Sequence, residues 1–138
     1  MTVPFSGGCA CGAVRYECAA EPLFVAHCHC RDCQKASGGQ MSTVAGVPRN
    51  AFRLTAGKTR SFAYSGDSGK GLARYFCENC GSRLYTADLG AMPELMFVAA
   101  GSLDDASWLK PVMHIYTKSK QPWADIPANA VTHARMPG

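Results

Sequence analysis

Short runs of β-branched and aromatic residues recur along the chain, separated by glycine and proline turn signals. They are Gly12–Cys18, Leu23–His27, Met41–Val47, Arg60–Tyr64, Leu72–Cys77, Arg83–Thr86, Leu95–Ala99 and Val112–Tyr116. Each is short, and most alternate imperfectly between apolar and polar positions, as antiparallel strands with one buried face do. Helical periodicity is thin: Asp32–Ser37 has room for a turn or two and Asp104–Leu109 for another. The pattern predicts an all-β fold of antiparallel strands. No repeat, low-complexity tract or linker interrupts the 138 residues, so one domain over 1–138 is expected. The glycine-rich Gly66–Gly71 precedes a strand-like run, not a helix. It reads as an exposed hairpin tip and not as a phosphate loop.

Composition narrows the function classes. Hydrophobic residues at 47% and charged residues at 17% exclude a disordered chain. The longest apolar stretch, Leu95–Ala100, is far short of a membrane-spanning helix. The first residues lack the basic start and apolar core of a secretion signal, so a cytoplasmic location is expected. The formal charge of +4 contains no Lys/Arg run of the kind that grips nucleic acid. With seven cysteines bound as thiolates to two zinc ions, that +4 would fall to +1. Neither a nucleic-acid nor a membrane partner is expected, and the oligomeric state is not readable.

The eight cysteines carry the chemistry: Cys9, Cys11, Cys18, Cys28, Cys30, Cys33, Cys77 and Cys80. Disulfides are disfavoured, because a cytosolic chain is kept reduced and such close spacings chelate better than they cross-link. Zinc suits clustered thiolates, accepting four soft ligands without redox chemistry. Cys9 and Cys11 form one half-site, and Cys77 and Cys80 form a C-x-x-C knuckle closed by Gly81. Together they supply the four thiolates of a closed structural site, joining positions more than sixty residues apart.

Cys28, Cys30 and Cys33 are different: three thiols within six residues, with no fourth cysteine beside them. Three protein ligands and an open position are the arrangement of catalytic zinc. Spacing alone leaves alternatives. Cys18 could complete the trio, although it continues an alternating strand pattern and reads as a buried free cysteine. His27 could complete it too; His29, between two ligands on an extended chain, should point away. The half-sites could also pair differently, Cys9 and Cys11 with Cys28 and Cys30.

Three ordered segments carry a resemblance: Gly-Gly-Cys9-Ala-Cys11-Gly-Ala-Val-Arg-Tyr, Cys28-His-Cys30-Arg-Asp-Cys33-Gln-Lys-Ala-Ser-Gly and Phe-Cys77-Glu-Asn-Cys80-Gly-Ser-Arg-Leu. They resemble the glutathione-dependent formaldehyde-activating enzyme family, whose domain is shared with centromere protein V. Gly101-Ser-Leu-Asp-Asp and the segment from His114 to Trp123 continue the similarity, which runs from about Ser6 to Ile126; the tail from Pro127 departs from it. The resemblance implies a β-tent fold of small antiparallel sheets held by zinc. It assigns Cys9, Cys11, Cys77 and Cys80 to a structural zinc and Cys28, Cys30 and Cys33 to a second, catalytic zinc. Cys18 matches no ligand. The implied reaction joins glutathione and formaldehyde to S-hydroxymethylglutathione, in the class of carbon–sulfur lyases.

A cation favours thiolate over thiol, so an open zinc site suits delivery of a substrate sulfur to an aldehyde. Arg31, Lys35, Lys118 and Lys120 lie in or beside the matching segments and are candidates for glutathione's carboxylates. His114 reads as a satisfied core or rim histidine and Trp123 as packing. A zinc-stabilised binding module without catalysis, and a labile metal or redox sensor, are the competing readings.

Overall fold

The computed structural model describes residues 3–66 and 69–137 and has eleven strands and one α-helix. A three-stranded antiparallel sheet contains β1 (Phe5–Gly8), β2 (Arg15–Cys18) and β5 (Phe52–Ala56), in the order β1-β2-β5. An eight-stranded sheet contains β3 (Phe24–Cys28), β4 (Ser42–Pro48), β6 (Thr59–Ser65), β7 (Gly71–Cys77), β8 (Arg83–Ala87), β9 (Leu95–Ala99), β10 (Met113–Ile115) and β11 (Val131–Thr132). Its order is β11-β10-β3-β4-β9-β8-β7-β6. The helix α1 (Arg31–Ser37) follows β3 after two residues.

The all-β expectation holds, with corrections of detail. The eight-stranded sheet is not purely antiparallel: β10 runs parallel to both β3 and β11. Strands β1, β5 and β11 were not predicted. Asp104–Leu109 is not helical, because both aspartates are engaged elsewhere. Asp104 pairs with Arg15, and Asp105 accepts from the Ser107 amide at 2.9 Å in a local turn. Of the predicted hairpin tip, Asp67 and Ser68 lie outside the described residues; Ser65 pairs with Gly71 across its base.

β4 is paired on both sides, by β3 and β9, and nearly every residue in it is buried. Consecutive residues Val44–Val47 are all buried, so both faces of the strand are covered there and that run is apolar rather than alternating. The main core gathers Val14, Tyr16, Val47, Leu84, Met96 and Val98, with Cys18 fully buried among them as a free thiol. A smaller core joins Ala26, Cys28, Cys33 and Ile115 under α1 and the C-terminal segment. Trp123, expected to pack, is instead 67% exposed, whereas His114 is buried as expected.

Candidate metal centres and the adjoining pocket

The sulfurs of Cys9, Cys11, Cys77 and Cys80 lie within 4.8 Å of one another and could hold a metal ion. Two turns position them: the loop between β1 and β2, and the knuckle between β7 and β8. Gly12 and Gly81 take left-handed φ values of 81° and 78°, which L side chains resist, and so let each turn close. Backbone amides point at the sulfurs. Val14 N donates to Cys9 Sγ at 3.2 Å, and Asn79 N and Cys80 N both donate to Cys77 Sγ at 3.4 Å. Ser82 ties the half-sites together, accepting from Ala10 N at 2.9 Å and meeting Cys80 Sγ at 3.2 Å. The Ser82 contact brings the Cys80 thiol down to about 5. Four converging free thiols with amides aimed at them suit a tetrahedral thiolate metal such as zinc.

Cys28, Cys30 and Cys33 form the second group, again within 4.8 Å of one another. Cys28 ends β3; Cys30 is the N-cap of α1, its sulfur accepting from Cys33 N at 3.2 Å; Cys33 sits in the first helical turn. Gln34 holds the segment in place, its amide donating to His29 O at 2.7 Å and Ser119 O at 3.0 Å. No histidine completes the trio among the described residues. His29 turns away, as expected, and is fully buried with Nε2 2.9 Å from His114 Nδ1. His27 meets Thr43 Oγ1 at 2.8 Å through Nδ1.

The trio divides its protons unevenly. Hydrogen bonding from Cys28 and Cys30, then the Arg74 guanidinium, draws the Cys33 thiol far below its usual range. Hydrogen bonding to Cys30 and Cys33, with burial, pushes Cys28 far above it. Arg74 Nη2 lies 3.5 Å from Cys33 Sγ, and its Nε donates to Tyr64 OH at 2.5 Å. Arg83 reaches Ser42, whose hydroxyl donates to Cys33 O at 3.0 Å. Burial, then the neighbouring Arg74, lowers the Arg83 pKa. Two guanidinium nitrogens, Arg74 Nη1 and Arg83 Nε, are buried with no hydrogen-bond partner.

The three thiols and both arginines line a cavity of about 170 Å³. The four cations nominated from sequence do not line it. Arg31 is exposed and donates to Gln34 Oε1. Lys35 is exposed over a neighbouring depression with Asp32 and Tyr64. Lys118 is exposed, and Lys120 Nζ donates to Gln121 O at 3.2 Å. Arg74 and Arg83 were missed because an arginine inside a strand reads as a solvent-facing position. The signal was available: Arg74 alternates with Leu72 and Phe76 along the strand, an unusual face for a charge.

An all-β domain with one four-thiol and one three-thiol cluster, each able to hold a metal ion, is the class that this fold and these sites define. The sequence description "Glutathione-dependent formaldehyde-activating enzyme" matches residues 4–119, and the chain belongs to that family. A Penicillium rubens protein, provisionally named a glutathione-dependent formaldehyde-activating enzyme, is 33% identical over 119 residues, 78% of this chain. The chain spans about three fifths of that relative, 61% of its length. The fold is similar to the crystal structure of a Rhodobacter sphaeroides protein, with a TM-score of 0.58 and 20% identity over 93% of this chain and 98% of that one. No helix among the described residues is long and apolar enough to cross a membrane.

Proposed function

We propose that the chain is a cytoplasmic two-zinc enzyme of the carbon–sulfur lyase class, joining a small thiol such as glutathione to an aldehyde such as formaldehyde. Cys9, Cys11, Cys77 and Cys80 would hold a structural zinc, and Cys28, Cys30 and Cys33 a second one with a place for substrate. Zinc at the second site would favour the thiolate form of an incoming thiol. The observation that carries this reading is the pair of unpartnered guanidinium nitrogens beside three convergent thiols.

Charge explains why. Three thiolates around a divalent zinc leave one net negative charge, which disfavours a fourth thiolate. Arg74 and Arg83 reverse that to one positive charge, which a substrate thiolate neutralises. Asp32 and Lys70 also line the cavity, but both are exposed and offset each other. As the substrate sulfur attacks the aldehyde carbon, the C–S bond forms and the carbonyl electron pair moves to oxygen. The free N–H groups of Arg74 and Arg83 are the donors for that oxygen as charge develops on it. The oxygen then takes up a proton, replacing the one the thiol gave up. Arg31, Lys35, Lys118 and Lys120, outside the cavity, are left for the peptide's carboxylates.

The test is zinc stoichiometry, followed by glutathione titration of protein carrying cobalt at the second site. A changed cobalt spectrum, with adduct formation faster than the uncatalysed background, is expected. An unchanged spectrum with only the background rate would reduce the chain to a non-catalytic zinc-stabilised module.

A further inference from the structure

The cavity beside the three thiols is larger and more apolar than formaldehyde requires. Val44, Leu89 and Ile115 form its buried walls, with Leu72 and Met136 beside them. Phe24 and Phe97 complete it, meeting edge to face with centroids 5.8 Å apart. Gly46 makes room for that aromatic wall. It lies opposite Phe24 on one neighbouring strand and opposite Phe97 on the other. A Cβ there would fall 2.4 Å from the Phe24 ring. The backbone thus leaves space for Phe24 to lie across β4 and face the cavity.

Size and polarity together restrict what can enter. An apolar cavity of about 150 Å³ is enough to hold a benzene ring; this one measures about 170 Å³, and the reacting sulfur and carbonyl take its thiol end. Formaldehyde carries no side group and would leave most of it unfilled. With Arg74 and Arg83 engaged by the substrate thiolate and the carbonyl oxygen, glutathione's carboxylates and ammonium would find no further partner against Phe, Leu, Ile and Met. The peptide therefore lies outside, and the apolar volume falls to the other reactant.

We infer that the cavity receives an apolar group of up to the size of a benzene ring, carried on the aldehyde carbon, so that the preferred partner of the thiol is an aromatic or branched aliphatic aldehyde and not formaldehyde. This rests on the thiol–aldehyde reading above and narrows its substrate. The reacting carbonyl then sits at the arginine end of the cavity, beside Cys33, and its side group extends toward Phe24, Phe97 and Met136. Met136 lies beyond residues 4–119, the stretch that the family description matches.

The test uses the zinc-loaded full chain and calorimetric titration with S-methylglutathione and S-benzylglutathione, stable thioethers bearing a small and a ring-sized group on sulfur. The benzyl compound is expected to bind about tenfold tighter or more, since even one methylene in a hydrophobic pocket is worth about tenfold. Leu72→Trp, which fills the half-buried wall, should bring the two within about twofold while zinc content and circular dichroism are kept. If that variant does not fold, the wild-type ratio decides alone. Equal binding of the two thioethers would overturn this inference and leave the thiol–aldehyde reading standing. Failure of glutathione and both thioethers to bind would overturn that reading and this inference together. Tight binding of phenylmethanethiol, with no preference between the thioethers, would put the ring on the thiol and overturn its assignment to the aldehyde.

Discussion

The two cysteine clusters are built from the same side chain but in opposite surroundings. The four-thiol cluster sits at the outside of the fold, with Cys11 and Cys80 exposed, and is surrounded by backbone amides and the Ser82 hydroxyl. The three-thiol cluster is set in a small apolar core, with Cys28 and Cys33 buried and two arginines behind them. Amides spread over four sulfurs satisfy a site and leave nothing reaching outward. Arginines with free N–H groups beside three sulfurs leave a site that still attracts an anion. In the proposed reading, the difference between a closed and a receptive centre lies less in the number of cysteines than in what surrounds them.

Serine substitutions test that contrast most strongly. Cys80→Ser should remove a large share of the about 5–15 kcal/mol that stabilises a domain of this kind, since metal binding at a closed site is folding energy. Cys30→Ser should lower zinc from two ions per chain to one and leave the fold intact, because serine is itself a good helix N-cap. Thermal melts followed by circular dichroism, with metal analysis, separate the two. Equal loss of structure in both variants would erase the contrast.

The arginines come next. Arg74→Met keeps the volume but removes a charged hydrogen bond worth about 1.5–3 kcal/mol. The Cys33 thiol of the metal-free protein should then move up toward its ordinary range, which the pH dependence of its alkylation rate reports. Glutathione affinity of the zinc-loaded protein should fall about tenfold or more. Lys35→Met, whose side chain is exposed and outside the cavity, should leave the alkylation profile unchanged.

Ser82→Ala probes the other centre, where it breaks the contact that ties Ala10 to Cys80. A loss of about 1 kcal/mol is expected, with metal affinity reduced about tenfold at the four-thiol site only. Competition with a zinc-binding dye measures it.

The smallest effect concerns His114, whose pKa burial lowers below the usual 6.5. The unfolded chain then binds more protons than the folded one as pH falls below 6.5, so stability present above that pH is lost on acidification. His114→Gln should therefore show a smaller drop in melting temperature between pH 7.5 and pH 5.5 than the parent.

Much of this architecture was legible because its signals are local. The C-x-C and C-x-x-C spacings survive in any fold that brings their turns together, and the apolar runs of β3, β4, β7 and β9 mark strands with covered faces. What escaped depends on partners distant in sequence. β1, Phe-Ser-Gly-Gly, has one large apolar residue and forms by pairing with β2. β5 is almost wholly exposed, and β11 has two residues, so neither carries a hydrophobic pattern. Asp104 looked like a helix start until Arg15, distant in sequence, engaged it. Arg74 reaches Cys33 across 41 residues of sequence, and no spacing rule records that meeting.

The clusters also differ in when a growing chain can assemble them. Cys28, Cys30 and Cys33 emerge within a few residues of one another, so their metal-binding loop closes at small entropic cost. Cys9 and Cys11 must wait for Cys80 to be synthesised before their site is whole. During translation the trio is therefore complete first, and the four-thiol cluster is the last to be finished.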